Sequence, residues 1–414
     1  MGVTFRLNAV QVTLDRDDGT LLDALRTDLG IRSVKDGCSP QGQCGCCTVL
    51  IDGSPRVSCV TPLKRVAGRE VETLEGMANA NSWAQAFCDS GGSQCGFCTP
   101  GIAVRFEGVR RNGGDLDDRG VVDRALVDHL CRCTGWQTIR ESAANFGKDS
   151  STHRDMAAAS KRASIESRGT QVVALEVALG QGGFAEDVAP EDALVAVPDK
   201  TGNWIVDETL SAALARSEKV QGRRTTRDLR YPVQLAEGDW AHCLQTTWVE
   251  PAYLEPDASW CVPGGEPYDP VANGGAFGAK LDSIVPEVAR RLANKHGRAV
   301  RAVLPRESVV QFGPKRPPIA IAVDEGGSGI LRAVTTPGLE TLVLQWAQEL
   351  GLDLQVQQVD VPGPPTSVDI RASIWAELAL VAAAVHGPAA IMSSEGALAE
   401  ATVNEDSVRI SLRC

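Results

Sequence analysis

Residues 37 to 59 read GCSPQGQCGCCTVLIDGSPRVSC, and the same chemistry returns at 94 to 100, QCGFCTP, and at 131 to 135, CRCTG. Ten of the thirteen cysteines in this 414-residue chain fall between residues 38 and 133, leaving Cys243, Cys261 and Cys414 for the remainder. Density of that order marks a site rather than background usage. Cys38, Cys44 and Cys47 run as C-x5-C-x2-C, and Cys59 follows after eleven intervening residues. The second set is C-x2-C at Cys95 and Cys98, then C-x-C at Cys131 and Cys133 after 32 intervening residues.

The first spacing is close to the plant-type [2Fe-2S] pattern, with one extra residue in the first gap. Gly42 and Gly45 suit a loop that wraps an inorganic cluster, because their backbone can approach closely and aim N–H groups at sulfur. Cys46 and Cys47 are neighbours and point opposite ways in an extended segment, so both are not expected to be ligands. Four more thiols give a second site. Zinc also takes four cysteines, but its knuckles are usually paired C-x2-C units, which C-x5-C and C-x-C fit poorly. Disulfides would need an oxidising compartment, and the N-terminal MGVTFRLNAV lacks the apolar core and cleavage site of a signal peptide.

The strings DGCSPQGQCGCCTVLIDG, QCGFCTPG and CRCTGW together resemble the iron-sulfur subunit or domain of the molybdenum hydroxylases, the family of xanthine dehydrogenase, aldehyde oxidoreductase and aerobic carbon monoxide dehydrogenase. The resemblance covers roughly residues 3 to 145. It implies a ferredoxin-like cluster at Cys38, Cys44, Cys47 and Cys59, and a second cluster, in a four-helix domain, at Cys95, Cys98, Cys131 and Cys133. It also implies that Gln94 and Cys133 lie against a molybdopterin.

Net charge −12 and pI about 5.0 argue against a nucleic-acid binder, which would carry a basic face. No apolar run approaches the ~18 residues of a membrane span. These features predict a cytoplasmic protein with reduced thiols.

Taken in order, Thr4 to Leu7 and Val10 to Leu14 read as strands about an Asn-Ala turn, and Thr20 caps a helix through Leu29. Thr48 to Ile51 and Arg56 to Val60 flank Asp52-Gly53, a hairpin signal. Residues 1–76 are therefore expected to form a β-grasp [2Fe-2S] domain. Residues 77–147 turn helical, with Thr99-Pro100 opening a helix toward Arg111, Val121 to Leu130 another, and a last helix ending at Ala144. Cys88 reads as a packed thiol. Residues 148–199 read as a linker, of which 148–169 is a linker or an exposed helix, with Lys161, Arg162 and Arg168 solvated. The denser cluster Arg223, Arg224, Arg227 and Arg230 is read first as a solvated surface, second as an anionic contact.

Residues 200–414 are read as a mixed α/β region resembling part of the family's molybdopterin-binding domain, which makes the whole chain α+β. The resemblance rests on EPAYLEPDASW at 250–260 and NGGAFGAK at 273–280, followed by a helix over 286–297, a strand over 299–304 and the pair Arg306-Glu307. By that likeness Gly275, Phe277 and Gly278 are candidate cofactor contacts, although a tight loop needs the same glycines.

The departures are large. Only 264 residues follow residue 150, far fewer than the family's molybdenum domain needs. The family's active-site Glu has no counterpart after NGGAFGAK, and Gly264-Gly265-Glu266 before it reads first as a turn. The acidic residue that follows the Gly-Lys of purine-hydroxylating members is Leu281 here, and no FAD-binding domain is recognisable. Further on, 319–323 and 331–335 form a hairpin, 339–350 a helix, 354–359 a strand, 367–385 a helix and 400–412 a last hairpin. Scattered histidines give no His-based metal site, and Cys243 and Cys261 read as packed thiols.

The chain is thus expected to be a two-cluster electron carrier, passing electrons from a molybdenum-pterin centre to a flavin or another acceptor. Molybdenum-binding or FAD-binding partner chains would complete the catalytic unit, with molybdopterin expected at an interface with them. A self-contained small hydroxylase and a non-catalytic iron-sulfur module with a degenerate C-terminal scaffold are the rival readings.

Overall fold

The computed structural model describes residues 2–38, 41–148, 154–218, 231–387, 390–392, 398–404 and 407–413. The arginine cluster 223–230 and Cys414 lie outside the described residues. The chain divides into two compact units, residues 1–222 with 252–311, and residues 223–251 with 312–414.

The first unit opens with a mixed five-stranded sheet of order β2-β1-β5-β3-β4, built from β1 (Val3–Leu7), β2 (Val10–Leu14), β3 (Thr48–Ile51), β4 (Ser54–Val57) and β5 (Glu70–Glu72). Asn8 and Ala9 take φ +51° and +67°, which closes the β1–β2 hairpin in two residues. Leu21, Leu22, Ala24 and Leu25 are buried, as their spacing predicts, but the helix is not continuous. α1 (Leu21–Asp23), capped reciprocally by Thr20 and Asp23, widens into a π-turn over Ala24–Asp28. The Leu29 and Ile31 amides reach back to the Ala24 and Leu25 carbonyls, and Arg26 is drawn out toward the Val34 carbonyl and Asp187.

Four helices follow: α2 (Ala80–Ser90), α3 (Thr99–Arg111), α4 (Arg119–Ala125) and α5 (Trp136–Ala144). α3 begins at Thr99 with Pro100 in its first turn, where a missing N–H costs nothing. α4 stops five residues before Leu130, where the chain leaves the helix to bring His129 to Cys131 across the first cysteine loop. Trp83, Phe87, Phe106 and Phe146 pack these helices together. The carboxylate of Glu107, buried beneath them, accepts from Asn79, Trp83 Nε1, Arg110 and Arg111. Burial would raise its pKa, but those four donors hold it down to about 2.

The same unit carries a four-stranded sheet of order Trp204–Asp207, Leu194–Pro198, Val300–Leu304, Asp257–Cys261, with helix Val285–His296 packed on it. Residues 148–199 include three helices, Met156–Ser167, Leu175–Ala178 and Ala185–Val188.

The second unit has a sheet of order Asp353–Val359, Ser328–Val334, Ile319–Val323, His242–Gln245 and helices Leu339–Glu349 and Trp375–His386. The last helix starts later than its apolar run suggests, because Ala372 and Ile374 sit at φ +57° and +68°, which no helix accommodates. Cys243, expected to be packed, is exposed. It lies on an edge strand beside Leu244, which faces the core, so alternation turns the thiol outward. Strands Ala390–Met392, Leu398–Asn404 and Ser407–Arg413 pair antiparallel. Among the described residues no helix is long and apolar enough to cross a membrane.

Candidate metal centres

The loop between the π-turn and β3 doubles back on itself at Gly42 and Gly45, whose φ of +69° and +70° lie where only glycine is unstrained. That path buries Cys38, Cys44 and Cys47 beside Cys59, which follows β4. Cys38 lies within hydrogen-bonding reach of both Cys44 and Cys59, and Cys47 pairs with Cys59. The Gln41 amide donates to Cys38 Sγ over 3.2 Å. These neighbouring thiols and loop amides pull the Cys38 thiol far below its ordinary value, so its partners Cys44 and Cys59 are pushed up.

Cys95 and Cys98 precede α3, and Cys131 and Cys133 precede α5, so two loops at helix ends face each other. Cys98 pairs with Cys131 and Cys95 with Cys133. The Cys98 thiol leads in holding Cys131 down to about 6 against burial, helped by the Thr134 hydroxyl at 3.4 Å and the amides of Thr134 and Cys133. The thiols of the second set therefore meet in twos, while in the first set Cys38 bridges Cys44 and Cys59. A [2Fe-2S] core takes two thiolates on each iron, whereas zinc would gather four around one point. Among the described residues no three His, Cys, Asp or Glu side chains are placed to hold a single metal ion.

The two sets are stitched together. The Leu130 amide donates to the Cys44 carbonyl over 3.0 Å, which joins a thiol-bearing residue of the first set to the neighbour of Cys131 in the second. Gly45 lies so close beneath His129 that any side chain there would overlap the imidazole, and Gly101 of α3 is pressed equally against the Gly45 carbonyl. Cys46 is buried in this seam and meets only Cys44 among the thiols of the first set.

Around the second set, Asn273 supplies contacts that its sequence alone could not announce. Its amide donates to the Cys95 carbonyl over 3.2 Å and to the Val172 carbonyl over 3.0 Å, and its oxygen accepts from the Val172 amide over 2.6 Å. Gln171 accepts from Gln94 over 3.1 Å and donates to the Gly274 carbonyl. Gln94, Cys133 and Gly275 thus come together, with Leu254 and Glu255, around a small cavity. Phe277 and Gly278 share the Gly275 turn, at φ +54° and +90°, but do not line that cavity. Glu266 is exposed in a turn closed by the Gly265 amide on the Val262 carbonyl at 3.0 Å.

Glu255 was missed in the sequence. It is buried, and Lys280 Nζ stands 3.0 Å from its Oε1. The same ammonium also donates to the carbonyls of Pro256 at 2.9 Å and Pro270 at 3.1 Å, so Glu255 shares that cation with two backbone acceptors. Burial outweighs the nearby ammonium and pushes this carboxyl up to about 7. The cavity beside it is about 10 Å³, the room of one water, so a pterin does not fit these residues as they are folded.

A second ionic group was also illegible. Lys35, almost fully buried two residues after Ser33, pairs with Asp187 and donates to the Gly180 carbonyl over 2.7 Å. Arg26 joins the same carboxylate over 2.9 Å. Burial opposes the charged form of Lys35 and lowers its pKa, with Asp187 resisting.

Residues 73–144 match the [2Fe-2S] binding domain family. The chain is 39% identical over 145 residues to the xanthine dehydrogenase iron-sulfur-binding subunit of Escherichia coli O157:H7, a match covering 33% of this chain and 84% of that subunit. It is 37% identical over 159 residues to xanthine dehydrogenase of Blastobotrys adeninivorans, covering 35% of this chain but only 11% of that longer enzyme. Among solved structures it resembles aldehyde oxidoreductase from Desulfovibrio gigas, with a TM-score of 0.64 at 19% identity over 92% of this chain and 60% of that one. That last likeness is one of fold.

Proposed function

The chain belongs to the iron-sulfur family of the xanthine dehydrogenases and aldehyde oxidoreductases, and on that premise we propose that it is a two-cluster electron carrier within a molybdenum-hydroxylase-type oxidoreductase. Cys38, Cys44, Cys47 and Cys59 hold one [2Fe-2S] cluster in a ferredoxin-like domain spanning residues 1–76. Cys95, Cys98, Cys131 and Cys133 hold the other in a helical domain spanning residues 77–147. Each cluster, when bound, supplies reversible uptake of a single electron.

The observation that carries this reading is the Leu130–Cys44 hydrogen bond, which makes a short bonded route from the Cys131 backbone to the Cys44 thiol. Cys133, at the far side, lies against the Gln94 and Gly275 wall, the end of the two-cluster pair that receives electrons in this reading. Val60, half exposed beside Gly42, marks where the first loop reaches the surface and would meet a flavin or another acceptor. The room beside Cys133 is too small for a pterin, which favours a partner chain bringing the molybdenum site over a self-contained hydroxylase.

The test is iron, molybdenum and zinc per chain by elemental mass spectrometry on protein from its own host, with electron paramagnetic resonance after reduction. About four irons, no molybdenum and two distinct [2Fe-2S] signals are expected. Zinc in place of iron overturns the reading, and substrate turnover by the isolated chain overturns the need for a partner.

A further inference from the structure

We propose that Cys46, the fifth buried thiol of the first loop, sets the reduction potential of the first cluster as a hydrogen-bond donor to its ligand Cys44. The inference rests on the reading that Cys38, Cys44, Cys47 and Cys59 hold that cluster.

Cys46 follows Gly45 at the bend and precedes Cys47, which turns toward Cys59. Its own sulfur goes the other way, 3.7 Å from the Cys44 carbonyl and within reach of Cys44 Sγ. Seen from Gly37 the two sulfurs lie side by side, since a methyl group there would stand 3.1 Å from Cys44 Sγ and 3.5 Å from Cys46 Sγ. The same methyl would meet the Phe97 ring at 3.0 Å, so an aromatic edge from between Cys95 and Cys98 closes the space. Gly101 covers the Cys46 backbone from α3, and the side chain is 1% exposed. Water does not reach this thiol, and its geometry leaves the Cys44 carbonyl and sulfur as its acceptors.

Hydrogen bonds to ligand sulfur are among the terms that set an iron-sulfur potential. A donor stabilises the more negative, reduced state and so raises the potential. An S–H is a weak donor, but in a dry seam the bond is not exchanged with water. Cys46 is thus a positioning residue. It leaves the cluster with its four thiolates and acts through one of them.

The experiment uses the full chain carrying Cys46→Ala and, separately, Cys46→Ser, with iron counting and a potentiometric titration followed by paramagnetic resonance. Both variants should keep wild-type iron and both signals. In Cys46→Ala the first cluster should shift to lower potential, and in Cys46→Ser, where a stronger O–H donor of similar size takes the place, it should return to the wild-type value or above. An unshifted potential in Cys46→Ala with both signals present overturns the proposal. Loss of half the iron in both variants overturns it too, by making Cys46 a ligand. A wild-type chain without two [2Fe-2S] signals fails earlier, at the electron-carrier reading itself.

Discussion

The α-carbon of Gly275 stands so close to Cys133 that a methyl group on it would overlap the Cys133 sulfur. A segment far along the chain therefore forms the lid over the last thiol of the second set, and only a residue without Cβ lets it close. Gly275→Ala should displace Cys133 from Cys95 and cost the second cluster. Iron should fall from about four per chain toward two, with one of two paramagnetic signals lost and the other kept. Full iron with unchanged spectra would show that the turn yields instead.

Asp187 is the shared counter-ion of Lys35 and Arg26, all three being largely buried. Removing one partner of such a group strands the others without charge compensation, which costs about 3–5 kcal/mol. Asp187→Asn should therefore lower the urea midpoint of the iron-sulfur half markedly, while a double variant with Lys35→Met should recover part of the loss.

Glu107 collects four side-chain donors beneath α2 and α3. Glu107→Gln keeps the shape but removes the charge that Arg110 and Arg111 answer, and one of its new N–H groups points at donors. A loss of about 1.5–3 kcal/mol follows, readable as a shifted denaturation midpoint in far-ultraviolet circular dichroism. A variant as stable as wild type would show that the two half-exposed arginines are compensated by water.

Glu255 titrates near 7 when folded, against an ordinary 4.5. The folded chain thus binds more protons than the unfolded one between those values, so this group's contribution is intact below 4.5 and is lost as pH rises through 7. The slope is about −1.4 kcal/mol per pH unit within the window. Glu255→Gln cannot ionise and should gain on wild type between pH 5.5 and pH 8 in parallel urea titrations. Parallel pH profiles for the two proteins would contradict the raised value.

The cysteine sets were legible because their information is local: spacing, glycines at the bends and Pro100 at a helix start all lie within a few residues of the thiols they serve. The π-turn was not, since Leu21 to Leu29 carries an ordinary helical pattern and only Asp187, remote in sequence, draws Arg26 out of register. Asn273 was legible as the start of a glycine turn but not as the residue that fixes the Cys95 carbonyl, a contact spanning 178 positions. Glu255 read as one acidic residue among many, and only burial beside Lys280 distinguishes it. Sequence pattern reports which residues could form a site, and long-range burial decides which ones share it.

The tie between Lys35 and the Gly180–Asp187 stretch also bears on what a cut chain would do. Lys161 and Arg162 are exposed on helix Met156–Ser167, well before that stretch. A protease nick after either one breaks the polypeptide, yet the buried lysine, Arg26 and the Asn273–Cys95 contact still clasp both fragments. The iron-sulfur half and the piece that follows it should then elute together as a nicked complex, parting only when denaturant opens the seam.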